Sequence, residues 1–481
     1  MTTLLAAGTT LSINAAETEE NKKMDKPNLI MIMCDDLGWG DVGFNGNKII
    51  KTPNLDQMAQ NSVQFNRFYA AAPVCSPTRG SCITGRHPYR YGIYFANVGS
   101  MKKEEMTLAE ILKPMGYSTG HFGKWHLGTL TTKIKDANRG GRKAFEKEYS
   151  TPAMNGFDEY FSTESKVPTC DPMKKPLRAG KCSWDQLSKE AKYKAYNTRY
   201  WTGPDKFETE NLEGDDSRII MDRAIPFIEK SVKKQEPFFS VIWFHTPHLP
   251  VVAEKKYAEM YKDYDRFKRN YYGCITAMDA QVGRLRAKLK ELGVADNTVI
   301  FFCSDNGPEG KAGRQPGSAG PFRGRKRDLY EGGIRVPALM EWPAKIKNHK
   351  VIDTATCTSD YLPTVLAALG YELKGKAYPI DGENLMPFIN GENKERQRAI
   401  GFQSRNNQAL NGNRYKLIST DKGRTFELYD MVNDPSEKTD IAKKHPEVVK
   451  AYKKQLKEWI KSCRRSDAGK DYAHYPEISK L

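Results

Sequence analysis

Three apolar stretches of this sequence end in polar residues that could do chemistry. Asp35-Asp36 follows Asn28-Leu-Ile-Met-Ile-Met-Cys34, His245 closes Pro237-Phe-Phe-Ser-Val-Ile-Trp-Phe-His245, and Ser304-Asp305-Asn306-Gly307 follows Asn297-Thr-Val-Ile-Phe-Phe-Cys303. Two carboxylates joined by a third and by an amide oxygen make a hard, all-oxygen donor set, suited to Ca²⁺ or Mg²⁺ and not to zinc. Either Asp pair alone reads equally as a helix cap or a turn. Two such pairs, each after a buried strand, favour a metal site. A fourth segment, Cys75-Ser76-Pro77-Thr78-Arg79-Gly80, reads as a loop turning into a helix, with Pro77 near its start and Cys75 at its positive end. On residue chemistry alone it offers a thiolate nucleophile stabilised by the helix and by Arg79.

Chemistry at the ends of apolar runs requires elements that bring those ends together. Continuous apolar runs suit strands buried on both faces of a parallel sheet, whose carboxyl ends converge on one crevice. Helical patterns over Thr107–Met115, Ser217–Lys234 and Lys268–Leu292 alternate with them, so the first 350 residues or so read as α/β. A further helix is expected over Pro363–Leu369. Shorter alternating runs at Ala399–Gln403, Tyr415–Ser419 and Phe426–Tyr429 read as an antiparallel meander, covered by a basic amphipathic helix from about His445 to Cys463. The expected division is a signal remnant over 1–25, a catalytic domain over 26–375 and a small α+β subdomain over 376–481. Segments 136–149 and 169–205 read as insert loops over the strand ends, where they would narrow the crevice.

The chain has 481 residues and a formal charge of +17, from 76 Lys and Arg against 59 Asp and Glu. Such a surface draws anionic partners, and sulfated polysaccharide, nucleic acid and acidic lipid all qualify. No nucleic-acid recognition motif accompanies the basic residues, so nucleic acid is not expected, and no apolar run reaches the roughly 18 residues a membrane span needs. The start, Met1-Thr-Thr-Leu-Leu-Ala-Ala-Gly to Asn14-Ala15-Ala16, resembles the tail of a secretory signal, which implies a periplasmic or secreted protein. None of the nine cysteines is spaced as in a zinc site. Cys170 and Cys182 are the candidate disulfide, while Cys34 and Cys303 lie in apolar runs as core residues.

Cys75-Ser-Pro-Thr-Arg79 resembles the Cys-x-Pro-x-Arg signature of type I, formylglycine-dependent sulfatases, an arylsulfatase-like branch of the alkaline phosphatase superfamily, and Thr84-Gly85-Arg86 resembles its extension. Asp35-Asp36-Leu-Gly, Gly123-Lys124-Trp-His126-Leu-Gly128, His245-Thr-Pro-His248, Ser304-Asp305-Asn306-Gly307 and Lys326 before Tyr330-Glu-Gly-Gly-Ile-Arg335 are similar to family motifs, in the family's order. The fold the resemblance implies is an alkaline-phosphatase-like sandwich. It has a large, mostly parallel mixed sheet flanked by helices, and a small C-terminal α+β domain with an antiparallel sheet.

The resemblance further implies that a formylglycine-generating maturation enzyme oxidises Cys75 to 3-oxoalanine, whose hydrate is the nucleophile. Asp35, Asp36, Asp305 and Asn306 would hold Ca²⁺, with Mg²⁺ as the alternative. Arg79, Lys124 and Lys326 would neutralise the sulfate, His245 would protonate the leaving alcohol, and His126 would take the proton that lets sulfate leave. Out of this context either histidine reads as an ordinary buried side chain. His248 and Arg325 are candidate substrate contacts. The expected substrate is a sulfated carbohydrate of galactose or N-acetylgalactosamine type, with Tyr200 and Trp201 as candidate stacking platforms for a sugar. The competing readings are a phosphonate or phosphodiester hydrolase of the same superfamily, a small aryl or choline sulfatase, and an idle basic lectin.

Overall fold

The computed structural model describes residues 26–375 and 377–481. The expected signal remnant lies outside the described residues.

Strands β1 (Asn28–Cys34), β2 (Val63–Phe65), β3 (Ser118–Lys124), β4 (Glu159–Thr163), β5 (Trp201–Gly203), β6 (Lys206–Phe207), β7 (Phe238–Trp243), β8 (Thr298–Ser304), β9 (Leu339–Glu341) and β10 (Lys350–Ile352) form one sheet in the order β10-β2-β9-β8-β1-β7-β3-β4-β5-β6. The middle five, β8-β1-β7-β3-β4, are all parallel. All seven residues of β1 are buried, and alternate side chains enter two different cores: Leu29, Met31 and Met33 one, Ile30, Ile32 and Cys34 the other. That is why the run is apolar throughout and not alternating.

Helix α1 (Cys75–Thr84) lies in the first core, α2 (Asp216–Lys233) and α3 (Arg266–Glu291) in the second. The sequence misses β3 and β4. Ser-Thr-Gly-His-Phe-Gly-Lys carries too few apolar side chains to register as a strand, yet six of its seven residues are buried. Gly123 explains the small residue there: its φ is +106°, and a Cβ would stand 1.9 Å from the Trp243 carbonyl oxygen on neighbouring β7.

The C-terminal part carries a four-stranded antiparallel meander, β11 (Ile400–Ser404), β12 (Asn407–Asn411), β13 (Tyr415–Ser419) and β14 (Glu427–Asp430), with helix α4 (Pro446–Asp467) packed on it. The expected disulfide is corrected, because all nine cysteines are free. Cys170 packs with Trp184 and Val252 in a small apolar cluster, while the Cys182 carbonyl accepts from the Val251 amide at 2.9 Å.

Candidate active site

The five parallel strands each deliver a polar group at the carboxyl edge. Asp305 follows β8, Asp35 and Asp36 follow β1, His245 stands two residues beyond β7, Lys124 ends β3 with His126 two further on, and Thr163 ends β4. Asp36 and His126 leave their strands in the left-handed region, at φ 67° and 59°, which turns successive side chains toward one point. Helix α1 enters from the side with all ten residues buried, and Cys75 is its first residue. Thr78 Oγ1 donates to the Ala72 carbonyl at 3.0 Å and so fixes the first turn, and Gly85 at φ 67° ends the helix.

One carboxylate oxygen each of Asp35 and Asp305 and the Cys75 sulfur lie within 4.8 Å of one another, and a similar group unites Asp35, Asp36 and His248. Lys124 Nζ donates to Asp35 at 2.6 Å, Lys326 Nζ to both Asp36 oxygens at 2.6 and 2.7 Å, and Arg79 Nη2 to Asp305 at 2.6 Å. Burial alone would raise the Asp35 carboxyl, but Lys124, His248 and Arg79 hold it well below the usual carboxylate range. Its neighbour Asp305 is pushed up to about 7 by burial and by the Asp35 charge.

The donor chemistry fits a hard divalent cation. Asp35 Oδ1 and Asn306 Oδ1 are buried oxygens with no hydrogen-bond donor, and both belong to this cluster. Orphaned acceptors so deep are costly unless something positive meets them.

Cys75 is not placed as a thiolate. Burial raises its thiol, and the pull of Lys124 and Lys326 is opposed by Asp35 and Asp305.

The two histidines meet opposite partners. His126 Nε2 faces Asn97 Oδ1 at 2.9 Å, an oxygen that also receives Asn138 Nδ2 at 3.1 Å, so Nε2 is the protonated nitrogen. Nδ1 is left buried with no partner, and burial, Lys124 and Arg139 keep the ring well below its ordinary value. A neutral imidazole with a free lone pair is a base.

His245 is the reverse. Its Nδ1 meets Asp216 Oδ2 at 2.8 Å and its Nε2 meets Thr163 Oγ1 at 2.7 Å, while the single Thr163 hydroxyl proton goes to the Ser165 carbonyl at 2.7 Å. Nε2 must then be the donor to Thr163. With a carboxylate facing the other nitrogen, Nε2 is the position from which this ring can hand on a proton.

His248 stands 3.6 Å from Asp36, its Nδ1 beside the Leu249 carbonyl at 2.7 Å, and burial lowers it to about 4. The remaining expectations need correction. Arg325 does not reach toward a substrate: its Nη2 donates to the carbonyls of Glu309 at 2.9 Å and Gly317 at 2.7 Å, bracing the loop that carries Lys326. Tyr200 and Trp201 are both fully buried and present no face to a sugar. Tyr200 lies on Phe161 at 4.0 Å and donates to Asp216 at 2.5 Å, and Trp201 Nε1 donates to Asp136 at 3.1 Å.

Sequence reasoning missed Asn97, Thr163, Asp216 and Lys166. Asp216 had a misleading signal, since Gly214-Asp-Asp-Ser reads as a helix cap, and Asp215 does serve as that cap. The other three carry no pattern of their own.

A family model described as "Sulfatase" matches residues 27–371, and one described as "N-sulphoglucosamine sulphohydrolase, C-terminal" matches 320–465. Human N-acetylgalactosamine-6-sulfatase is 33% identical over 382 residues, which cover 76% of this chain and 66% of that protein, just under two thirds. Human arylsulfatase A is 30% identical, over 89% of this chain and 86% of that protein. A crystal structure described as Ps i-CgsB in complex with k-i-k-neocarrahexaose matches with a TM-score of 0.74 and 27% identity, over 90% of this chain and 93% of that one. The architecture is thus the alkaline-phosphatase-like fold of those neighbours. With a family model matching most of its length and relatives that bear the family's name, this chain belongs to the sulfatase family.

Proposed function

We propose that this protein hydrolyses a sulfate ester on a carbohydrate of galactose or N-acetylgalactosamine type. The observation that carries the reading is the convergence of Cys75, Asp35 and Asp305 within 4.8 Å, with the buried cations Arg79, Lys124 and Lys326 paired to Asp305, Asp35 and Asp36. Support for the sugar comes from a relative named N-acetylgalactosamine-6-sulfatase and a structural neighbour solved in complex with k-i-k-neocarrahexaose.

In this reading a maturation enzyme converts Cys75 to formylglycine, which supplies a hydrated aldehyde as the oxygen nucleophile. Asp35, Asp36, Asp305 and Asn306 would hold Ca²⁺, with Mg²⁺ as the alternative. When bound, the ion supplies Lewis-acid polarisation of a sulfate oxygen and a lowered pKa for the nucleophile.

The rest falls to side chains. Arg79, Lys124 and Lys326 offset the sulfate's charge in a site almost closed to water, where each contact is stronger than at a surface. A leaving alcohol arriving at His245 Nε2 competes with Thr163 for its proton, and Asp216 on Nδ1 holds the ring in place. His126 Nδ1 is the lone pair that receives the proton at position 75. Export to the periplasm or beyond would bring the protein to such glycans.

The test is direct. Protein made beside a maturation enzyme should yield a Cys75 peptide about 18 Da lighter than its thiol form, and should release sulfate from 6-sulfated N-acetylgalactosamine. Cys75→Ala should lower that turnover by roughly 10³-fold or more with an unchanged melting temperature. Full activity with an unmodified thiol, or equal turnover of a phosphodiester or an aryl sulfate, would overturn the reading.

A further inference from the structure

The insert over the strand ends carries a charge arrangement that the catalytic reading does not use. Strand Lys174–Pro176 pairs antiparallel with Tyr193–Ala195, and the register sets Lys175 directly opposite Lys194. Like charges so placed repel. Together with Lys166 they line a cavity of about 440 Å³, within the size range of small-ligand sites, whose other walls include Asn138, Ser165 and Tyr196. No carboxylate lines the cavity, and none of the three ammonium groups has an ion-pair partner among the described residues. The same insert pairs its charges elsewhere: Lys174 meets Glu213 at 2.5 Å, and Asp185 meets Arg269 at 2.8 Å.

Hydrogen bonds connect the wall of this cavity to both histidines of the candidate site. Asn138 Nδ2 donates to Asn97 Oδ1, the oxygen that holds His126, and to Ser165 Oγ, both at 3.1 Å. The Ser165 carbonyl in turn takes the Thr163 proton beside His245. A group seated among the three lysines is therefore linked to His126 through Asn138 and Asn97, and to His245 through Ser165 and Thr163. The field is continuous as well, since Lys166 is pushed down first by burial and then by Lys124 and Lys326 of the site itself.

We propose that this cavity is a second anion subsite, which binds a further sulfate or carboxylate on the sugar next to the one whose ester is cleaved. The inference rests on the sulfated-carbohydrate reading. Three cations and a border of neutral hydrogen-bonding groups suit an anionic sugar: the lysines meet its charge, and Asn138, Ser165 and Tyr196 meet its hydroxyls. A bound anion would offset the repulsion between Lys175 and Lys194, which face each other with no ion-pair partner among the described residues. The enzyme should thus prefer multiply charged fragments over singly sulfated sugars.

The experiment compares wild type with Lys175→Ala/Lys194→Ala on three probes: 6-sulfated N-acetylgalactosamine, the same sugar joined to a uronic acid, and a disaccharide with a sulfate on the neighbouring sugar. For at least one disaccharide the double variant should lose tenfold or more in kcat/KM, through KM, beyond any loss on the monosaccharide. The disaccharide that shows the loss identifies carboxylate or sulfate as the group bound. Equal loss on all three probes, or no loss on any, overturns the subsite. Binding of the same probes to protein carrying Cys75→Ala is measured in parallel. If wild type hydrolyses none of the saccharides, the catalytic reading fails, and the subsite is still decided by binding. Tenfold weaker disaccharide binding in the Lys175→Ala/Lys194→Ala background supports it. Unchanged binding, or none to the parent, overturns it.

Discussion

Two clusters of buried charge can be compared in this molecule. One is the strand-end group of Asp35, Asp36, Asp305, Arg79, Lys124 and Lys326. The other joins the two sheets: Lys416 of β13 lies between Glu331 and Glu437, at 3.0 and 2.8 Å, with Tyr69 donating to Glu331 at 2.9 Å, Arg335 at 3.4 Å, and the Glu331 amide donating to Glu437 at 2.7 Å. Both are almost fully buried, and both hold carboxylates against cations. They differ in what is left over. In the second, each carboxylate oxygen of Glu331 and Glu437 meets a cation or a donor, Glu437 Oε1 through the Lys416 ammonium at 2.8 Å and nothing else. In the first, Asp35 Oδ1 has no donor and only the Arg79 guanidinium at 3.7 Å, and Asn306 Oδ1 has no donor. Burial of charge does not by itself mark a site; unmet acceptors of one chemical kind at one point do.

The sharpest way to break the comparison is to empty the second cluster. Lys416→Ala leaves buried Glu437 without its cation and Glu331 with only Arg335, and should cost about 3–5 kcal/mol of stability, read from denaturant unfolding. Turnover per folded molecule should stay as it was. A loss of kcat in protein that is still folded would mean that the clasp also shapes the strand-end site. Next in size is removal of metal from the first cluster. Chelation should abolish sulfate release and lower stability by about 2.7 kcal/mol relative to protein in a hundredfold excess of Ca²⁺ over its Kd, and Asp305→Asn should blunt that response. Active protein that holds stoichiometric zinc and neither Ca²⁺ nor Mg²⁺ would refute the ligand assignment.

A smaller effect comes from pH. Burial pushes Glu437 up to about 7, with the Glu331 charge adding to it and Lys416 opposing. Its folded value lies above its unfolded one, so the folded state binds more protons between the two. The contribution is fully present below the unfolded value near 4.5 and is lost as pH rises through 7. Melting temperature should fall by about 1–2 °C between pH 6 and 8, and Glu437→Gln should remove that fall.

What the sequence made legible follows from which physical signals are local. The runs at Asn28–Cys34 and Asn297–Cys303 announce buried parallel strands because every position in them is apolar. Short motifs such as Cys75 to Arg79 keep functional groups adjacent in the chain, so the residues named for the site are found together. The failures are of another kind. Strand β3 is hidden by two glycines, a histidine and a lysine that close packing and chemistry demand. The two aromatics Tyr200 and Trp201 suggest a sugar platform until burial is known. Arg325 lies in a basic run with Lys326, yet which neighbour faces the site depends on how the loop folds back on Glu309 and Gly317. Asn97, Thr163 and Asp216 meet the two histidines from distances of many residues, and no spacing rule reaches them.

Tyr200 allows the last and smallest prediction to decide between two of these readings. Its hydroxyl donates to Asp216 Oδ1, while Asp216 Oδ2 faces His245 Nδ1. It is thus a positioning residue that acts through the carboxylate, out of reach of substrate. Tyr200→Phe keeps the ring stacked on Phe161 and removes one hydrogen bond, worth about 1 kcal/mol, so kcat should fall roughly fivefold. KM for a sulfated sugar should hardly change, because no sugar touches the ring. A raised KM with kcat unchanged would restore Tyr200 as a sugar contact and remove it from the chain of groups behind His245.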